Sequence, residues 1–377
     1  MTLAVRKVLI VGGGLAGLSA AIALGEAGAK VTVIDLHGQA DGASIAITNR
    51  AVDALAELGV LDACVAAGTV PGGGGSLFAG MMNAAGEPLP IPAPPGRPDD
   101  GLPALVAIYR PELARILSDA ARAAGAEIRT GTTFTALADQ GDHVAASFRE
   151  GADETFDLVI GADGTRSAVR EAIIPDIRPD YTGWMSFRVV LEDGPEGQPG
   201  FFMQPDGDMV ATTRLPGNLV YLAAGEKMDN RRLSQGEATE ILGRVLDRYT
   251  APLVRGIRTR LADGPHIIAR PFEWLMVGKP WHRGRIVVIG DAAHSTTANL
   301  SSGGSMAIED GVVLAQELAN NADVEAGLTA FAERRYERTR MVVETSVALL
   351  KLQERGAHPA EGGMMRMQAV GALMQPY

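Results

Sequence analysis

The sequence predicts an α/β fold, in which a Rossmann-like domain carries an inserted, mainly antiparallel β-sheet domain and a helical segment toward its carboxyl end. Three observations predict it. A short apolar run, Lys7 to Val11, enters a glycine turn and then an alanine-rich stretch. Closely spaced strand patterns fill the middle of the chain from about Tyr181. A second apolar run, Arg285 to Ile289, precedes helical patterns that occupy most of Gly303 to Gln353.

In order, Lys7 to Val11 reads as a strand, the stretch to Ala27 as a helix, and Val31 to Ile34 as a second strand. From Asn49 to Leu58 the residues Val52, Leu55 and Leu58 share a helical face, and Gly59 supplies the left-handed stop. Glycine and proline dominate from Pro71 to Pro103, a long loop region with short strands. A helix opens at Pro111, where a missing N–H costs nothing, and closes at Gly125. Alternating runs follow from Glu127 and end in the strand Leu158 to Ile160. Met185 to Leu191, Phe201 to Gln204, Met209 to Thr213 and Leu219 to Ala223 then read as strands, with turns at Pro205–Gly207 and Pro216–Asn218. The expected division is a discontinuous nucleotide domain over 1–72, 103–175 and 280–355, a β-sheet domain over 73–102 and 176–279, and a tail over 356–377.

Composition narrows the partners. Hydrophobic residues make up 46% of the 377 and charged residues 21%, an ordinary globular balance. The 34 Lys+Arg against 45 Asp+Glu leave a net charge of -11 with no basic cluster, which argues against nucleic acid and anionic membranes. One cysteine, Cys64, forms no internal disulfide and fits a reducing compartment. The amino-terminal apolar run ends in glycines and not in a cleavage site, and no run reaches the roughly 18 residues of a membrane span, so a cytoplasmic protein is expected. His37, His143, His266, His282 and His358 show no metal-ligand spacing, and no metal is expected.

GxGxxG at Gly12, Gly14 and Gly17 sits between a strand and a helix, the context a dinucleotide fingerprint requires. Gly12 permits the tight turn, Gly14 lets a pyrophosphate approach the backbone, and Gly17 lets helix and strand pack closely. Leu15 and Ala16 open the helix whose positive end faces the phosphates. Asp35 ends the second strand, where a carboxylate accepts from a ribose hydroxyl pair. Two more segments end buried strands in a glycine and an aspartate: Asp157 to Arg170, containing Asp163-Gly164, and Arg285 to His294, containing Gly290-Asp291. Aspartates at such turns also serve as plain helix caps.

With these three motifs, in this order and at these separations, the chain resembles the single-component FAD-dependent aromatic hydroxylases of the p-hydroxybenzoate hydroxylase fold over nearly its whole length. The resemblance implies FAD as cofactor and NADPH or NADH with O2 as co-substrates. It implies that Asp291 accepts from the ribityl hydroxyls, that Asp163 lies near the pyrophosphate and the nicotinamide route, and that Arg110, in Tyr109-Arg110-Pro111-Glu112-Leu113, contacts FAD. The run after His294 leads to Gly303, Gly304 and Ser305, where a helix would direct its positive end at the flavin N1–O2 edge. Ala298 stands where the family carries a proline. His294 is expected to support the flavin loop rather than act as a base.

The inserted sheet is expected to turn one face to the flavin. Trp184, Ser186 and Arg188 alternate onto one side and Met185, Phe187 and Val189 onto the other. Arg188, Phe202, Gln204, Thr213 and Arg214 are the pocket candidates, with Arg188 and Arg214 offering cations to an acidic or phenolate substrate. The arginines could equally be solvated or ion-paired. The expected reaction is hydroxylation of a small aromatic or heteroaromatic molecule through a flavin C4a-hydroperoxide, by a monomer or homodimer. Rival readings are an FAD oxidase or reductase of the same fold, a flavin-binding redox sensor without turnover, and a plain NAD dehydrogenase. A flavin halogenase would carry a WxWxIP signature, and none is present.

Overall fold

Two six-stranded sheets form the body of the protein, a computed structural model of which describes residues 3–38, 42–70, 80–90, 97, 101–357 and 359–377. The first sheet runs in the order His282–Arg283, Ile286–Val288, Leu158–Gly161, Lys7–Val11, Lys30–Asp35 and Glu127–Thr130. Its neighbours pair in parallel, apart from the hairpin between the first two strands. The central strands read as continuous apolar runs because both faces are covered. Leu9 and Ile10 are fully buried, and Leu18, Ile22 and Leu24 of the helix Leu15–Glu26 pack in the same core.

The second sheet runs Ile267–Trp274, Asp180–Leu191, Leu219–Lys227, Met209–Leu215, Phe201–Met203 and Met81–Asn83. It is antiparallel except for the last pair. One face carries Met185, Phe187 and Val189 onto the helices Gln235–Asp247 and Pro252–Arg260, whose Leu242, Leu246, Val254 and Ile257 complete a second core. The other face carries Trp184, Ser186 and Arg188 into a cavity. The alternation expected for this strand is therefore the one observed.

Between the sheets lie the pair Ser44–Thr48 and Leu105–Tyr109 and the helix Gly303–Asn320. The long helical stretch divides at residues 321–323, where Asp323 caps the helix Val324–Glu354 by accepting from the Ala326 amide. Residues 356–377, expected as a tail, contain the helix Pro359–Leu373. Its Ala369 and Leu373 pack with Leu300, Met306, Val342 and Leu349, an apolar face that composition alone did not reveal. Of the short strands expected between Pro71 and Pro103, Met81–Asn83 is described. The stretches 71–79, 91–96 and 98–100 lie outside the described residues, as does His358. No described helix is long and apolar enough to cross a membrane.

Candidate active site

The first sheet ends its parallel strands at one edge, and three turns meet there. At Gly12 the backbone takes φ +110, and a Cβ would stand 2.3 Å from the Ala162 carbonyl oxygen of the mid-chain motif. At Gly17 a Cβ would lie 2.0 Å from the Gly12 oxygen. These two glycines are required by packing inside the protein. Gly14 differs, because a Cβ there meets no atom of the described residues within 4 Å. Its space belongs to the cavity, as expected of a backbone position kept open for a ligand.

Asp35 closes this turn. Its carboxylate accepts from the amides of Gly13, His37 and Gly38, each at 2.8 Å. Burial pushes its pKa up, but these donors outweigh it and hold the group below the usual carboxylate range.

The other two aspartates divide the expected roles. Asp163 lines the cavity, yet its carboxylate takes the Ser167 hydroxyl and the amides of Ala168 and Val169, so it caps the helix Ala168–Ile173. Burial nevertheless raises its pKa. Arg170 ties this turn to the later one, donating to the carbonyls of Thr165 and Ala292 at 2.8 and 2.9 Å. Asp291 opens the short helix Asp291–His294 and has no protein hydrogen-bond partner among the described residues. Its side chain is open to the cavity, while the surrounding protein pushes its carboxyl above the usual range against the pull of His294, Arg110 and Arg188. A carboxylate so placed, with both oxygens unbonded among the described residues, has the chemistry to accept from a pair of hydroxyls.

His294 does not line the cavity. Its Nε2 lies 2.6 Å from Asp310 Oδ2, and that carboxylate also accepts from the Gly290 amide at 2.8 Å and from Arg335 Nε at 2.8 Å. Arg335 and Arg338 share Glu309. This buried network supports the turn carrying Asp291, and the sequence motifs gave no sign of it. The helical stretch gave no sign that Arg335, 25 residues from Asp310, would turn inward.

The cavity, of about 800 Å³, is lined by Gly12, Gly14, Leu15, Ala16, Asp35, Arg110, Asp163, Asp291, Gly303 and Gly304 on one side and by the second sheet on the other. The helices Leu15–Glu26 and Gly303–Asn320 begin at it, with no acidic residue in either first turn to oppose an anion. Gly17, Gly290 and Ser305 stand behind this wall. Ser305 Oγ accepts from the Thr48 amide at 3.1 Å and so holds the helix against the strand Ser44–Thr48.

On the sheet side Arg188 lines the cavity with its Nε 3.1 Å from Ser186 Oγ, and Thr213 lines it too. Arg214 does not. It lies on the opposite face of its strand and donates to the Pro195 carbonyl at 2.6 Å. Phe202 likewise packs in the helix-covered core, and Gln204 donates to the Arg248 carbonyl. The reason is the two-residue period: Arg188 pairs with Ala223, Ala223 with Ala211, and Ala211 with Phe201, which puts Phe201 on the cavity face and Phe202 away from it. The same period brings Tyr221 beside Arg188. Burial raises the Tyr221 pKa, and Arg188 and Arg110 oppose the rise. The alternation in Leu219 to Ala223 contained that signal.

The profile of the FAD binding domain family matches residues 6–346. A putative FAD-dependent monooxygenase, YetM of Bacillus subtilis strain 168, is 30% identical over 375 residues, covering 94% of this chain and 96% of YetM. The 2-heptyl-3-hydroxy-4(1H)-quinolone synthase of Pseudomonas aeruginosa strain PAO1 is 28% identical over 324 residues, covering 82% of this chain and 80% of that protein. In fold, the crystal structure of Klebsiella pneumoniae HpxO with FAD and uric acid superposes with a TM-score of 0.79 at 21% identity, over 98% of this chain and 96% of HpxO. The fit of Gly14, Asp291 and the two helix starts to a dinucleotide agrees with these likenesses, and the chain belongs to the FAD-binding family of flavoprotein monooxygenases and aromatic hydroxylases.

Proposed function

We propose that this protein uses NAD(P)H and O2 to hydroxylate a small aromatic or heteroaromatic molecule. The single observation that carries the reading is the continuity of the cavity. One space reaches from the glycine turn and Asp35, past Asp291, to a sheet face bearing Arg188, Tyr221 and Trp184. That is room for FAD and, beyond its ring, for a second molecule. The quinolone synthase among the relatives supports a heteroaromatic substrate. The overall balance is substrate C–H, O2, NAD(P)H and H+ giving substrate C–OH, water and NAD(P)+.

Bound FAD supplies hydride acceptance and oxygen activation. The protein's own residues bind, orient and exclude water. The backbone around Gly12, Gly14, Leu15 and Ala16 takes the pyrophosphate, with Arg110 as a counter-charge. Asp35 holds the loop at the adenosine end through Gly13 and accepts from the ribose. Asp291 accepts from the ribityl hydroxyls, and Asp163 keeps the neighbouring turn closed. The start of the helix at Gly303 and Gly304 directs its positive end at the flavin ring, favouring negative charge there. Arg188 holds a carboxylate or phenolate oxygen of the substrate by a charge-assisted hydrogen bond and favours the ionised, electron-rich ring. Tyr221, beside it, donates to the same group.

The test begins with the purified protein. It should be yellow and release FAD, not FMN, on denaturation, and NADH or NADPH oxidation should rise with 3-hydroxybenzoate, 4(1H)-quinolones or hydroxylated heteroaromatic acids. Flavin without any such stimulation across the panel would count for an oxidase, reductase or sensor of the same fold.

A further inference from the structure

The helix Val324–Glu354 begins far from the sheet face but ends on it. Its Leu349 packs with Leu300 and Met306 beside the loop that follows Asp291, while Leu350 and Gln353 line the cavity. Gln353 Nε2 donates to Asp208 Oδ1 at 3.4 Å, next to the turn that leads into the strand Met209–Leu215. Glu354 Oε1 accepts from the Trp184 indole N–H at 3.0 Å, and Lys227 Nζ, paired with Trp184 across the strands, stands 3.4 Å from the same oxygen. Trp184 is 5% exposed and lines the cavity. A Cβ added at Gly225 would lie 3.3 Å from its ring and 3.6 Å from the Phe272 ring, so these two aromatics bracket a floor without side chains.

We propose that the end of this helix is the outer wall of the substrate chamber, and that Glu354 is a positioning residue that fixes the Trp184 indole and thereby sets how large a ring system the chamber admits. The inference rests on reading this cavity as a flavin site joined to a substrate chamber. An indole ring that keeps its N–H bond to Glu354 cannot swing over Gly225 or away from it. With the carboxylate gone, the N–H turns to water and the ring gains rotamers, which softens one wall and leaves the flavin contacts around Gly14 and Asp291 untouched. The amide of a glutamine still offers an oxygen to the indole N–H, so Glu354→Gln keeps the wall while losing only the charge shared with Lys227.

The experiment titrates FAD-loaded protein with 3-hydroxybenzoate, one ring, and with 4(1H)-quinolone, two fused rings, following the flavin absorbance bands. Flavin content and thermal midpoint are measured on the same samples. Expected for Glu354→Ala is full flavin content with a change of at least about threefold in the ratio of the two dissociation constants. Glu354→Gln should keep the wild-type ratio, and Trp184→Phe, which lacks the N–H while Glu354 is intact, should shift it as Glu354→Ala does. A ratio unmoved in Glu354→Ala and Trp184→Phe, or no rescue by glutamine, overturns the proposal. Loss of flavin in Glu354→Ala also overturns it, because the helix end would then support the cofactor. If the wild-type flavin bands respond to neither probe, the chamber reading falls and the proposal with it, and absence of flavin from the wild type strikes the cofactor reading together with the proposal that rests on it, whereas bands that respond to the probes with a ratio unmoved by the variants strike the proposal alone.

Discussion

Asp310 joins Gly290 to His294, accepting the amide of one and meeting the ring of the other, while the neighbouring Asp291 faces the cavity with no hydrogen-bond partner among the described residues. The two sides of this turn should therefore fail differently. Asp291→Ala removes an acceptor aimed at the ligand and should weaken FAD binding at least about tenfold, with little change in stability of the flavin-free protein. His294→Ala leaves a buried carboxylate one partner short and should cost roughly 1–3 kcal/mol of flavin-free stability, with a smaller effect on FAD. Flavin titration and chemical unfolding of both variants check this. Equal FAD losses would show that His294 acts on the ligand directly.

Two glycines of one motif make a second contrast. A methyl group at Gly14 meets no atom of the described residues within 4 Å, so Gly14→Ala should fold with an unchanged midpoint and yet retain little FAD. At Gly17 the same methyl group collides with the Gly12 carbonyl, so Gly17→Ala should lower the midpoint of the flavin-free protein itself. Thermal unfolding before and after FAD addition separates the two.

Arg188 and Arg214 carry the same guanidinium on opposite faces of the sheet. Arg188→Ala is expected to keep its flavin, to lose roughly tenfold or more of substrate-stimulated NAD(P)H oxidation, and to release more H2O2 per NAD(P)H. Arg214→Ala should leave all three unchanged apart from a small loss of stability, since its bond to the Pro195 carbonyl lies outside the cavity. Coupled turnover retained in Arg188→Ala would place substrate recognition elsewhere on the cavity wall.

The buried network predicts a pH dependence. Burial pushes the Asp310 carboxyl up, but His294 and Arg335 outweigh it and hold its pKa below the ordinary value. A carboxylate depressed on folding stabilises fully above the unfolded value, about 4, and that contribution is lost as the pH falls through the lower folded value. Asp310→Asn should therefore cost about 3 kcal/mol at neutral pH, the scale of breaking a buried pair, and the difference from wild type should shrink in acid. Denaturant midpoints of both proteins between about pH 3 and pH 7 measure it. A gap that stays constant into acid would mean that the ionised carboxylate is not what stabilises the turn.

The sequence by itself determined the three turns and the alternation of side chains along the strand that carries Trp184, Ser186 and Arg188. Gly12, Gly14, Gly17, Asp35, Asp163 and Asp291 are legible because each sits at the end of an apolar run or in the turn and helix start that follow it, where local chain geometry dictates the residue. The alternation assigned Trp184, Ser186 and Arg188 to one side. It could not say which residue of Phe201 and Phe202, or of Thr213 and Arg214, meets Arg188, because that follows from the register between strands, and register depends on pairings across the sheet. Tyr221 was open to the same argument and needed that register to be noticed. The partnership of Asp310 with Arg335 and of Trp184 with Glu354 was decided by tertiary structure alone. In each case a charge on a helix of mixed composition looks like a solvated face until another element covers it, and only then does the cost of burying it without a partner select the contact.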